Sequence, residues 1–392
     1  LLAVDLVFNT ILLMQLPEPT EDALIASRAL TSLIHQEIQS CDGWISFARF
    51  MQLALYAEGL GYYAGGSTKL GKEGDFTTAP EITPIFGRTL AQFVMQMADA
   101  EPLRILEFGA GSGKLALDVM LACEAAGKPV AEYVIVELSA QLRSRQQSLL
   151  EDFSCVTWLN VPPKVFRGTV LCNEVLDAMP VSLLIKKQGR WLERGVGWQG
   201  SSFCFIEREV EQDIAHQIPD ADAFPDGYVT EVHPTQQGFI RSLSEMLIAG
   251  GRGSAVLLDY GFPAREYYLA SRASGTLMCH YRHHAHSDPF FMLGLQDITA
   301  HVDFTAMALA AVEAGAQVLA YLNQAAFLIA AGLPELMQTL SPEDTKQWLP
   351  TANAVQQLTS PAEMGELFKV LIIGVGLDVP EAIVAQDKSY RL

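Results

Sequence analysis

Between residues 103 and 173 the apolar positions change period at short intervals. "LRILEF" (103–108), "EYVIVE" (132–137), a short run near 155–158 and "TVLCN" (169–173) have the length and content of strands. The segments 114–126 and 139–150 between them carry helical spacing. Strands alternating with helices of this length predict an α/β fold, a parallel sheet with helices on both faces. Its ligands belong at the C-terminal ends of the strands, near the point where strand order reverses. Upstream, "TEDALIASRALTSLIHQEIQS" places apolar residues at 24, 25, 30, 33, 34 and 38 behind a Thr20 cap, and "GWISFARFMQLALYAEGL" repeats the pattern before Gly59 and Gly61. These predict an N-terminal helical cap.

A long Gly-, Thr- and Pro-rich stretch follows, "GYYAGGSTKLGKEGDFTTAPEITPIFGRTL", leading into a helix through about residue 98. A loop of that length with aromatics in it reads as a functional cover. After residue 180 the period shifts to short β-like runs separated by "KKQGR" and "WQGS", an antiparallel meander inserted into the α/β chain. An acidic connector (211–226), a strand-like "YVTEV", a helix through about 249, the strand "SAVLLDYG", a loop-rich segment, an Ala-rich helix at 304–315 and a last strand "FKVLIIGVG" complete the chain. The expected boundaries are an extension outside the fold at 1–19, cap and cover loop at 20–79, core at 80–180 and 228–375, meander and connector at 181–227, and a tail at 376–392.

Composition narrows the partners. The 392 residues are 50% hydrophobic and 18% charged, with a net charge of −19. That surface repels phosphate backbones, which argues against nucleic acid, and accepts a cationic substrate more easily. Six cysteines at 41, 123, 155, 172, 204 and 279 contain no CxxC pair and read as reduced, buried small hydrophobes of an intracellular protein. The apolar start, about 16 residues holding Asp5, is short for a membrane span and lacks the basic flank of a signal peptide. Met14 opens a beginning of its own, so 1–13 reads as an upstream extension. No stable membrane insertion is expected, and a homodimer is left open.

The candidate chemistry starts at "LEFGAGSGKL". Its glycines fall as Gly109-x-Gly111-x-Gly113, not as the GxGxxG of a dinucleotide fold, and no hydroxyl residue follows Lys114 as a P-loop requires. Glu107, two residues before the first glycine, suits a ligand with a cationic amino-acid end: glycines let backbone approach an adenosyl group, and an acid meets an ammonium. Glu137 ends the next strand, where a carboxylate accepts two ribose hydroxyls. NAD satisfies that carboxylate equally, and a helix N-terminal acid explains it without a ligand. The glycine spacing favours S-adenosylmethionine over NAD. Past the fourth strand, "LCNEVLDAMP" sets Asn173, Glu174 and Asp177 within one turn, where they could hold an amine or guanidinium in line with a methyl donor. They could equally be a helix cap and its acidic first turn.

These stretches, with "GDFTTAPEITPIFGRTLAQF", "VIVELSAQLRSRQ", "LLDYG" and "GTLMCHYRHHAHSDPFFMLGLQDITAHVDF", occur in an order that resembles the MidA-like family of S-adenosylmethionine-dependent methyltransferases, from about residue 20 to 375. The mitochondrial member of that family is a complex I assembly factor that symmetrically dimethylates an arginine on a subunit of that complex. The resemblance implies a Rossmann-like class I methyltransferase sheet, S-adenosyl-L-methionine as cofactor, and an arginine-bearing protein substrate. It implies a cytoplasmic location for a bacterial-type member and the mitochondrial matrix for the eukaryotic relatives. The cofactor set is then Glu107, Gly109, Ala110, Gly111, Gly113, Glu137, Leu138 and Asn173. The family often has Pro where Ala110 stands, which matters little where backbone does the binding.

An arginine substrate fits the acids, because a guanidinium stays protonated until carboxylates localise its charge. Glu174 and Asp177 are the first choices, with Asn173 beside them and Glu231 if its strand returns to the site; Glu81 is a weaker candidate, and Asp259 reads as structural. His280, His283, His284 and His286 crowd one segment, with Asp288, His301 and Asp303 available, yet methyl transfer calls for no metal. Two other readings stay open: a cofactor-binding scaffold with little chemistry, and a NAD-dependent oxidoreductase.

Overall fold

A computed structural model describes residues 17–65, 78–210 and 214–392. The predicted extension over 1–13, residues 66–77 of the cover loop and residues 211–213 of the acidic connector lie outside the described residues. In chain order, β1 (Arg104–Phe108), β2 (Glu132–Val136), β3 (Val156–Leu159) and β4 (Thr169–Asn173) come first. They are followed by β5 (Ser182–Lys187), β6 (Arg190–Gln199), β7 (Ser202–Glu209), β8 (Val229–Val232) and β9 (Gly253–Phe262). The rest are β10 (Met278–Tyr281), β11 (His284–His286), β12 (Asp297–Thr299), β13 (Val302–Asp303), β14 (Gln317–Asn323) and β15 (Phe368–Val375).

The chain forms two compact units. The larger, Thr78–Asp177 with Thr235–Tyr268 and His301–Leu392, is built on one sheet of order β3-β2-β1-β4-β9-β15-β14, with β13 alongside β9. β1, β2, β3, β4 and β9 run parallel; β15 is antiparallel to both β9 and β14. Crossovers leave the sheet centre in opposite directions, and right-handed connections then put helices on opposite faces. This is the Rossmann-like sheet that the resemblance implies; its parallel strands are those that the alternation of strand and helix predicts, and β15 adds an antiparallel strand.

Strand alternation shows both faces buried. Ile105, Tyr133, Ile135, Leu171, Val256, Leu258, Leu322, Val370 and Ile372 join one core with Phe86, Leu90 and Phe93 of helix Pro84–Ala98, Leu115 and Val119 of helix Lys114–Ala125, and Phe327 of helix Gln324–Ala330. The intervening residues Leu106, Val134, Val170, Cys172, Leu257 and Leu371 are also buried, on the second face, with Ile240 and Leu247 of helix Pro234–Gly250 and Met307 of helix Phe304–Glu313. Gly87 brings the first two helices together: a Cβ there would lie 2.6 Å from Asp118 Cβ. The predicted tail is folded onto this unit, with Ile383 in its core and the Lys388 N–H donating to the Tyr321 carbonyl at 2.7 Å.

The second unit takes in the described residues up to 65, Ala178–Pro234 and Leu269–Ala300. It holds an antiparallel sheet of order β7-β6-β5-β8 and a smaller one of order β11-β10-β12. Helices Glu21–Ser40, capped by Thr20, and Phe47–Tyr56, capped by Ser46, bury Leu30, Ile34, Phe50 and Leu55 in its core. The meander is present as predicted, but two assignments differ. "YVTEV", grouped with the core from the sequence, pairs with β5 as β8; a four-residue run carries no mark of which strand it will join. The loop-rich 269–300 holds β10, β11 and β12, whose three- and four-residue strands are too short to show a period.

Candidate active site

The strand order reverses between β1 and β4, paired side by side up to Phe108 and Cys172. The turns leaving these two strands therefore emerge together. After β1, Gly109, Gly111 and Gly113 have φ of 65°, 54° and 87°, values that favour glycine. A Cβ on Gly109 would stand 2.9 Å from Val175 Cγ2, so the glycine turn and the turn after β4 press against each other. Ala110 is buried within the turn. Lys114, which gave the loop its phosphate-like look, is ion-paired with Asp118 on its own helix.

Glu107 lies on the buried face of β1, and Tyr133 of β2 donates its hydroxyl to it at 2.7 Å. Burial pushes its carboxyl up to about 7; the Tyr133 bond opposes the shift and the Glu137 charge adds to it. Glu137 is held at the end of β2 by the Ser139 N–H at 2.7 Å and by Gln146 Nε2 at 2.9 Å. Burial raises its pKa, and those two bonds pull it back. The next residue, Leu138, is 75% exposed, an apolar surface beside that carboxylate.

Gln146 is a residue that sequence reasoning missed. Its amide also donates to the Gly111 carbonyl at 2.9 Å and accepts from Trp158 Nε1 at 3.0 Å, tying the glycine turn, Glu137 and β3 into one network. A Cβ on Gly113 would come within 3.3 Å of its Cγ. Its place on a polar helix held no signal; only the fold reveals its partners.

After β4 the chain makes a turn gripped by the end of β9. Glu174 has φ of 53°, unusual for a residue with a side chain, and its N–H donates to the Leu258 carbonyl at 2.9 Å. Asp259 Oδ2 accepts the N–H groups of Leu176 at 2.9 Å and Asp177 at 3.2 Å. Tyr260 donates its hydroxyl to Asp177 Oδ2 at 2.5 Å, its ring standing edge-on to His301 and Phe368. Asn173 donates to Glu174 Oε1 at 3.0 Å, while its own buried carbonyl oxygen has no hydrogen-bond partner. The Asp259 carboxyl is held well above the usual carboxylate range by burial, then by the charges of Asp177 and Glu174. Asn173, Glu174, Asp177 and Asp259 thus gather at one end of the sheet beside the glycine turn, with Asp177 and Asp259 buried.

Glu231 and the histidine segment, both named from the sequence, belong to the second unit. Glu231 is fully buried and accepts from the Thr276 N–H and hydroxyl and from the Leu277 N–H at 2.9–3.0 Å. Those bonds give it structural work and do not point to catalysis. The histidine segment is split by the strand period: His284 and His286 share a face of the β10–β11 pair, His280 takes the opposite one, and His283 sits in the turn. His286 accepts from the Asp288 N–H at 3.3 Å, and burial lowers its pKa. Among the described residues no three His, Cys, Asp or Glu side chains gather as a metal site. Nor is any helix among them long and apolar enough to cross a membrane. All six thiols are free; Cys123, Cys172 and Cys279 are buried as expected, whereas Cys41 is exposed.

The chain is similar to known proteins. Residues 85–322 match the family described as "putative S-adenosyl-L-methionine-dependent methyltransferase". A crystal structure from Burkholderia thailandensis, bound to S-adenosyl-homocysteine, is 46% identical, covers 96% of this chain and 100% of its own, and superposes with a TM-score of 0.91. A mitochondrial protein named as a protein arginine methyltransferase (NDUFAF7 homolog) of Drosophila melanogaster is 27% identical over 92% of this chain and 88% of its own. The similarly named mouse protein is 24% identical over 83% and 80%.

Proposed function

The chain belongs to this family of S-adenosyl-L-methionine-dependent methyltransferases, and from that premise we propose that it methylates an arginine nitrogen of a protein. The observation that carries the acceptor is the turn Asn173–Asp177 beside the glycine turn, its backbone held by Asp259 and its Asp177 carboxylate by the Tyr260 hydroxyl. Relatives named as protein arginine methyltransferases support the same acceptor. A subunit of respiratory complex I is the target that the family resemblance suggests.

The chain's residues fit the cofactor. The glycines at 109, 111 and 113 let backbone come close to a ligand, Glu137 stands at the end of β2 where a ribose would offer its hydroxyls, and exposed Leu138 offers an apolar wall. When bound, S-adenosylmethionine supplies an activated methyl group on a sulfonium. The protein's share is position and charge. Glu174 and Asp177 draw the positive charge of a guanidinium toward the nitrogens they bind, leaving the remaining nitrogen better able to attack. In this reading Asp177 also takes the proton which that nitrogen sheds, and the Tyr260 hydroxyl bond that orients its carboxylate supports that role.

Labelled-methyl transfer into a lysate of cells lacking the protein, followed by identification of the modified residue, tests the acceptor. Label on arginine is the expected result; label on another residue type overturns it. Glu174→Gln and Asp177→Asn should each lower kcat by about 10²-fold or more while S-adenosyl-homocysteine binds as before. Unchanged transfer in both variants would remove the proposed roles.

A further inference from the structure

The cofactor's methionyl end carries an ammonium, and two carboxylates near the glycine turn are unused by the chemistry above. Glu107 is the one that the motif spacing favours. Its side chain, however, is 2% exposed on the strand face and already takes the Tyr133 hydroxyl. Its carboxyl, pushed up to about 7, is a poor fixed anion at neutral pH. That pair joins β1 to β2 beneath the turn and reads as scaffold.

Glu81 approaches from outside the sheet. It stands half-buried on the short helix Ala79–Ile82, and its Oε1 accepts the hydroxyl of Ser112, a residue of the glycine turn itself. The Lys114 N–H donates to the same hydroxyl oxygen at 3.2 Å, which leaves the Ser112 proton directed at Glu81. The segment is anchored by packing: helix Pro84–Ala98, which follows it, is clamped to helix Lys114–Ala125 through Gly87. Lys114, which opens the helix after the glycine turn, is ion-paired with Asp118.

We propose that Glu81, presented by Ser112, receives the ammonium of the bound cofactor. The glycine turn then supplies backbone and hydroxyl, while the charge comes from a segment more than twenty residues upstream of the motif. This rests on the cofactor alone and not on the identity of the acceptor. It also accounts for why Ser112 sits between two glycines: its hydroxyl couples the turn to the carboxylate.

The test is calorimetry with two probes, S-adenosyl-homocysteine and 5′-methylthioadenosine, which keeps the adenosine and thioether but lacks the amino-acid end. Glu81→Gln should weaken S-adenosyl-homocysteine by about 10- to 100-fold, the range for losing a charged hydrogen bond, and leave 5′-methylthioadenosine unchanged. Ser112→Ala should give a smaller selective loss, and Glu107→Gln none. Normal S-adenosyl-homocysteine affinity in Glu81→Gln, equal weakening of both probes, or a selective loss in Glu107→Gln would each overturn the proposal. Selective loss in a chain that labels no arginine would sink the proposed acceptor and leave Glu81's role standing.

Discussion

Glu107 carries a consequence for stability that its motif position does not suggest. With its carboxyl pushed up to about 7, the folded chain holds a proton there that the unfolded chain releases near 4.5. Folded protein therefore binds more protons than unfolded between those values, and stability falls as pH rises through that window, by on the order of 3 kcal/mol from this group. Urea unfolding of the ligand-free protein at pH 5 and pH 8 checks it: Glu107→Gln should lose less stability over the interval than the parent. Equal losses would show that Glu107 titrates normally. Single residues differ in how far the sequence exposes them. Gly109, Gly111 and Gly113 are legible because their left-handed backbone favours one residue type. Glu174 adopts a similar φ with a side chain attached, and Gln146 gathers three partners from a polar helix; neither leaves a trace in composition or period.

Elements show the same division. β1 to β4 and their helices stand out because each changes period at its ends, and their observed bounds lie within about two residues of the predicted ones. β14 is hidden, since "VLAYLNQAAFLIAAG" runs strand into helix as one apolar stretch. β8 is visible as a strand but not as a partner of β5. Its Glu231 ties it to the turn before β10: Gly275, with φ of 76°, lies so near that a Cβ would sit 2.2 Å from Glu231 Oε1. Glu231→Gln turns one acceptor into a donor facing the Thr276 and Leu277 N–H groups, at a cost of about 1–3 kcal/mol. Calorimetric melting should drop by a few degrees with S-adenosyl-homocysteine affinity unchanged. Lost methyl transfer at an unchanged melting temperature would instead restore a catalytic role for this carboxylate.

Over the whole molecule, a net charge of −19 reaches beyond the site. A basic protein acceptor should be drawn in by that field, so its KM should rise several-fold from 50 to 500 mM salt as screening shortens, while a neutral cofactor product binds almost independently of salt. A KM that ignores salt would deny the field any part in the encounter. The order in which strands are made has a consequence of a different kind. β9 follows β4 by about 80 residues, and the last strand, β15, lies between β9 and β14, both synthesised before it. At ~5–20 residues per second a ribosome needs roughly 4–16 s to go from β4 to β9. Until β15 is made, the growing sheet keeps an apolar seam open between β9 and β14. A nascent chain of this design offers chaperones an unpaired edge until β15 arrives, and a chain cut short before β15 would be left with that edge unpaired.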